Sequence, residues 1–175
     1  MFGATMTNRN IGVLFAVLVV APALGAGDAL AQMPPAIAAP DAAPVVTLHA
    51  EGAQIYECKA ADDGKLAWAF REPIATLVLA GKTVGRHYAG PHWEHADGSI
   101  VQGKVTGNAP GATPNDIAWL KLDVIAHRGA GTFAGVDIVQ RINTSGGVLR
   151  GPCDQAGALR SAPYSADYVF LHKGG

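Results

Sequence analysis

Residues 117–142 read IAWLKLDVIAHRGAGTFAGVDIVQRI, and this stretch decides the fold class. Over 117–127 large and polar residues alternate. Leu120, Leu122 and Val124 fall on one face; Trp119, Lys121 and Asp123 fall on the other. A period of two is the pattern of a half-buried β-strand. Gly129-Ala130-Gly131 then turns the chain. Residues 133–142 return as a second strand, with Val136, Ile138 and Ile142 on its apolar face and Arg141 on its polar face. Two such runs around a Gly-rich turn predict an antiparallel hairpin.

The same grammar extends outward in both directions. Short strands are expected at 45–48, 54–58, 66–70, 84–88, 100–105 and 168–171, and the apolar run 74–80 reads as a strand from its length and flanking turns. Asp97-Gly98 sits between 93–95 and 100–105. Asp-Gly is a strong hairpin signal, because a two-residue type I′ turn needs positive φ at both positions. With those two residues as the turn, His95 faces Ile100 and Trp93 faces Gln102. No segment of ten or more residues follows a 3.6 period. Short strands with Gly-rich turns predict a single all-β domain, a β-sandwich or barrel of antiparallel strands.

The chain has 175 residues, 49% of them hydrophobic and 15% charged, with 22 Gly and a formal net charge of −1. That charge excludes the basic footprint of a general nucleic-acid binder. Low charge with high apolarity is the reverse of a disordered composition. At the N-terminus, Arg9, the apolar run 11–24 and Ala29-Leu30-Ala31 have the layout of a secretory signal peptide cleaved after Ala31. The run is shorter than the roughly 18 to 20 apolar residues of a membrane span, and no later stretch predicts one. The expected organisation is a signal peptide at 1–31, a Pro/Ala-rich disordered tether at 32–44 and one all-β domain at 45–175. The protein is thereby expected to be secreted or periplasmic. Its two cysteines, Cys58 and Cys153, both lie in the exported part, and an even pair in an oxidising compartment reads as a disulfide.

Several phrases occur together: QIYEC at 54–58, GRHYAGPHWE at 85–94, DGS at 97–99, AWL at 118–120, and GTF at 131–133 leading into QRINTSGG at 140–147. In this order they resemble the secreted bacterial and fungal family known as domain of unknown function 3455 (DUF3455), over roughly Gly52 to Cys153. That family has no established activity, so the resemblance implies an exported domain without an assigned chemistry. The chain departs from the family pattern at His92 and His95, so no metal role for them is implied by the resemblance. Some fungal relatives carry a malate dehydrogenase label. A dinucleotide site needs a Gly-rich turn between a strand and a helix; the best match, at 129–135, has the wrong spacing and precedes an alternating segment. A malate dehydrogenase-like oxidoreductase is therefore disfavoured.

The densest polar cluster is His87, Tyr88, His92, Trp93, Glu94, His95 and Asp97. Imidazoles are the usual zinc and copper ligands, so a divalent metal on His87, His92 and His95 is one alternative. His92 and His95 are three apart, which puts them on opposite faces of an extended strand. Glu94 and Asp97 form a carboxylate pair of the kind used in glycoside hydrolysis, although Asp97 also suits a plain turn. No G-x-S-x-G or HExxH motif is present. Trp93 and Trp119, with Tyr88 nearby, are either ligand-stacking rings or core. Arg141, Asn143 and Thr144 lead into a Gly-flanked loop, where binding residues concentrate. The leading expectation is a non-catalytic module that binds a small molecule or saccharide of the envelope, without a cofactor, through His87, Tyr88, Trp93, Glu94, Trp119, Arg141, Asn143 and Thr144. The alternative is a metal-assisted or carbohydrate-active hydrolase using residues 87–97.

Overall fold

Every strand pairs antiparallel with the one that follows it, and the last returns to the first. The computed structural model describes residues 1–3 and 33–174. Its strands are β1 (Ala42–Ala60), β2 (Leu66–Leu79), β3 (Lys82–Tyr88), β4 (His92–His95), β5 (Ile100–Ala109), β6 (Trp119–Arg128), β7 (Ile138–Gly146) and β8 (Leu159–Lys173). They form a closed barrel in sequence order. Of the two architectures expected, the barrel is the one adopted. Closure removes the unpaired edges that an open sheet must protect. No helix among the described residues is long and apolar enough to cross a membrane.

Alternation sends Leu48, Ala50, Leu77, Val101, Leu122, Val139 and Phe170 into a common core. Charged side chains pair on the outside, as Lys59 does with Glu57 and Arg86 with Glu94. One end of the barrel is plugged. Phe133 stacks on Phe170, centroids 4.3 Å apart, and Val136 is also fully buried. The return strand expected from 133 in fact begins at Ile138. Phe133 and Val136 are three apart, so an extended chain would send them to opposite faces. Two successive turns, Ala134 N–H to the Gly131 carbonyl and Val136 N–H to the Phe133 carbonyl, point both inward instead.

The hairpin at Asp97-Gly98 forms, in a different register. Gly98 N–H donates to the His95 carbonyl and His95 N–H to the Ser99 carbonyl. Ala96, Asp97 and Gly98 thus make a three-residue loop, with Gly98 at φ 88°. This is the type I turn plus left-handed residue that ranks next to the two-residue turns. Trp93 consequently faces Val101 and Glu94 faces Ile100, one residue off the expected pairing. A one-residue slip exchanges the faces of a strand. Trp93 turns into the barrel and is 1% exposed.

The Pro/Ala-rich stretch does not behave as a tether over its described part. Pro35–Ile37 forms a 3₁₀ turn after Pro34, and Ile37 is fully buried. Gln140 Nε2 donates to the Ile37 carbonyl at 2.6 Å. Gly107 makes room for this segment, since a Cβ there would run into the Ala36 carbonyl. β1 then starts at Ala42, with Ala42 opposite Lys173, so strand structure begins before position 45. The signal-peptide segment lies outside the described residues, apart from Met1 to Gly3. Cys58 and Cys153 are joined in a disulfide with Cα atoms 5.9 Å apart, as expected. The bond ties the end of β1 to the connection between β7 and β8. Tyr56 and Trp68 hold the same connection by donating to the Gly147 and Pro152 carbonyls.

Candidate functional site

Away from the Phe133 plug, the barrel core gives way to a cavity of about 330 Å³. Its walls are largely apolar, from Pro73, Pro91, Trp93, Leu120 and Leu122. Phe70 and Val105 also line it while being 54% and 48% exposed, so the cavity reaches the surface between β2 and β5. Its polar lining consists of Gln54, Arg71, His87, Arg141 and Tyr168, with no carboxylate among them.

Arg141 enters through the register of β7. It lies opposite Leu120 on β6 and Tyr168 on β8, two residues beyond the buried Val139. The expected faces of this strand are therefore reversed. Ile138 and Gln140 point outward, where Gln140 is buried by its bond to the N-terminal 3₁₀ segment. That cover explains why an outer face reads as apolar. The Arg141 guanidinium donates from both Nε and Nη2 to the Ala118 carbonyl, at 3.1 and 2.8 Å. No carboxylate pairs with it among the described residues. Arg71, the other cation of the lining, pairs with Glu72 at 3.2 Å.

His87 is 3% exposed and stacks on Trp93, centroids 4.6 Å apart and planes 10° apart. Tyr168 packs against both rings, at 5.0 and 5.3 Å. Burial pushes the His87 imidazole down to about 3, assisted by the Arg141 charge, although its bond to the His92 carbonyl opposes this. The neutral ring donates from Nδ1 to that carbonyl at 2.8 Å, leaving Nε2 as an acceptor. Burial also raises Tyr168, whose hydroxyl lies 3.3 Å from that of Tyr164. The inner cavity thus holds one fixed positive charge among neutral groups. Gln54, 2% exposed, has a buried Nε2 without a partner, and so does Trp93 at Nε1. Buried polar groups normally find partners; both residues line the cavity, while these two atoms are closed off from its space.

The remaining candidates lie elsewhere. Tyr88 and Glu94 are on the outer face, where Tyr88 donates to Glu94 at 3.2 Å and stacks on His92. Arg86 reaches the same carboxylate at 2.8 Å and holds it below its ordinary range. His92 Nδ1 contacts the Ala89 carbonyl at 2.6 Å, and His95 Nδ1 lies 2.9 Å from Asp97. His87, His92 and His95 therefore occupy three separate surroundings. No group of three or more metal-ligating side chains converges among the described residues. Asp97 belongs to the plugged end: Ser99 and Thr132 each donate to it from backbone and hydroxyl. Trp119 is half-buried outside the cavity lining, and its Nε1 has no partner. Asn143, at φ 51°, donates to Asp167, and buried Thr144 donates to the Ile117 carbonyl. The cavity thus gathers His87, Trp93 and Arg141 and excludes Tyr88, Glu94, Trp119, Asn143 and Thr144. It adds Gln54 and Tyr168, which sequence reasoning missed. Gln54 shares the alternating face of Tyr56 and Cys58, and a polar residue on an inward face was its available signal.

Fold and site together define a closed eight-stranded antiparallel barrel with a small, largely apolar internal cavity. The family model described as "Protein of unknown function (DUF3455)" matches residues 38–172, and the chain belongs to that family. No curated protein and no solved structure matches the chain.

Proposed function

We propose that the protein is an exported, non-catalytic carrier or receptor that holds one small apolar molecule in its barrel cavity. An eight-stranded barrel is just wide enough to be filled by side chains or to hold one small ligand. The observation that carries the reading is the cavity itself, about 330 Å³ with largely apolar walls. This volume is at the low end of the roughly 300–1,000 Å³ of ligand pockets. A saccharide would need many more polar partners than this lining offers, which favours an apolar occupant. The disulfide supports an oxidising compartment. The hydrolase alternative would need Glu94 and Asp97, and both are engaged in bonds outside the cavity. The glycine-rich segment at 129–135 leads into β7 rather than a helix, which removes the context of a dinucleotide site.

Titration with the neutral apolar fluorophore N-phenyl-1-naphthylamine tests this reading. One saturable site is expected. Val105→Trp, at an exposed lining position, is expected to weaken binding about tenfold or more. Folded protein that shows no saturable site, or a Val105→Trp variant that binds as wild type does, would refute it.

A further inference from the structure

We infer that the cavity selects a small monoanion, an apolar body ending in a carboxylate-type head whose oxygens are held by Arg141. This deepens the proposed function and rests on it. Four observations converge. First, Arg141 is a half-buried guanidinium with no carboxylate partner among the described residues, whereas Arg71 in the same lining has Glu72. An unpaired charge withdrawn from water is costly, and a bound anion would supply the missing partner.

Second, the guanidinium is pre-positioned. Its bonds to the Ala118 carbonyl engage Nε and Nη2. A guanidinium carries five N–H donors in a fixed fork, so donors remain beyond those that meet the Ala118 carbonyl and the Tyr168 hydroxyl. Third, nothing in the lining repels an anion or competes with it for Arg141. Trp93 Nε1 can only donate, and the Gln54 amide offers two donors. Both atoms are closed off from the cavity space, so the Arg141 fork is the donor that faces an occupant, and the lining has no carboxylate to compete for it. Arg141, His87, Trp93 and Tyr168 form one cluster, since the Arg141 charge is felt at His87 and Tyr168 and both of these pack on Trp93. Fourth, the size is limiting. A volume of about 330 Å³ lies at the low end of the roughly 300–1,000 Å³ of ligand pockets, which suits a body of one short chain or two to three small rings.

The test is a series that keeps the tail and changes the head: octanoate, 1-octanol and octylammonium, each displacing N-phenyl-1-naphthylamine. Octanoate is expected to bind about tenfold tighter than 1-octanol, the size of effect typical of a hydrogen bond to a charged group. Octylammonium is expected to be the weakest. In Arg141→Gln the ratio of octanoate to 1-octanol affinity is expected to fall to about one, whatever the absolute affinities of that variant. Equal binding of octanoate and 1-octanol to the wild type would overturn the inference and leave the cavity reading standing; so would an octanoate preference that survives Arg141→Gln. Failure of every probe, the fluorophore included, would overturn both. If Arg141→Gln does not fold, the wild-type ranking alone decides.

Discussion

Asp97 shows how much one side chain can hold when its oxygens are fully used. Ser99 and Thr132 donate to it through two backbone N–H groups and two hydroxyls, at 2.6 to 2.9 Å. These bonds favour the ionised form and hold the carboxyl well below its ordinary value of 3.8. They also join the β4–β5 turn to the segment that carries Phe133 into the barrel. Asp97→Asn is expected to lower stability at pH 7 by about 2 kcal/mol, one or two charge-assisted bonds after allowance for partial exposure. A depressed folded-state pKa gives stability that is present above the unfolded value and lost as pH falls below it. The gap between wild type and Asp97→Asn in urea midpoints should therefore be full at pH 6 and shrink below about pH 4. His87 has the same sign from a different cause. Its imidazole is buried neutral, so the unfolded chain takes up a proton below 6.5 that the folded one refuses down to about 3. Between pH 7 and pH 5 this costs about 2 kcal/mol of stability. His49 works in the opposite direction, raised by its bond to Asp167, so the measurement belongs in a His49→Gln background. Long-range nitrogen-15 spectra should show a neutral, Nδ1-protonated His87 ring throughout that range. A ring titrating near 6.5 would contradict the buried placement.

Among elements, the β4–β5 hairpin shows where reading by pattern succeeds and where it stops. Alternation along 117–127 and the Asp97-Gly98 turn are legible because side-chain period and turn chemistry are local properties. The register is not, because Ala96-Asp97-Gly98 serves a three-residue loop as well as Asp97-Gly98 serves a two-residue one. That single residue decides whether Trp93 faces water or core. Arg141 lies on the face opposite to the expected one for a related reason: Ile138 and Gln140 face outward under a cover contributed from far away in sequence. His87, Trp93 and Arg141 stood out by residue type, but their convergence depends on closing the barrel, which no local pattern encodes. The covering segment itself is testable. Gly107 lies under the Ala36 backbone and has no room for a side chain. Gly107→Val is expected to lift residues 35–38 from β5 and β6 and expose the Ile37 anchor. Amide exchange at Ile37 and Ala38, which donate to the Pro34 and Pro35 carbonyls, should accelerate at least tenfold. Val101 and Leu122, inside the barrel, should keep their protection. Unchanged exchange at Ile37 would mean that the segment is not held by this contact.

For the molecule as a whole, the question is what the disulfide adds to a barrel that is already closed by hydrogen bonds. The β1–β8 register runs from Ala42 opposite Lys173 to Glu57 opposite Leu159, and Cys58 lies one residue past its end. The native state therefore gains little geometry from the bond. Its main effect falls on the unfolded chain, which is cross-linked between residues 95 positions apart. In the chain-entropy model such a loop is worth roughly 4 to 5 kcal/mol. Against a total of about 5–15 kcal/mol for a typical domain, that is a large share. The double variant Cys58→Ser, Cys153→Ser should thus unfold at a much lower urea midpoint, with stability reduced by about 4 kcal/mol. The cavity should survive, because none of its lining residues is a cysteine and β7, which carries Arg141, is fixed by β6 and β8. N-phenyl-1-naphthylamine should bind the folded double variant within about threefold of wild type. Lost binding at unchanged stability would reverse the assignment, making the bond a support of the cavity mouth through the 147–158 connection rather than a constraint on the unfolded chain.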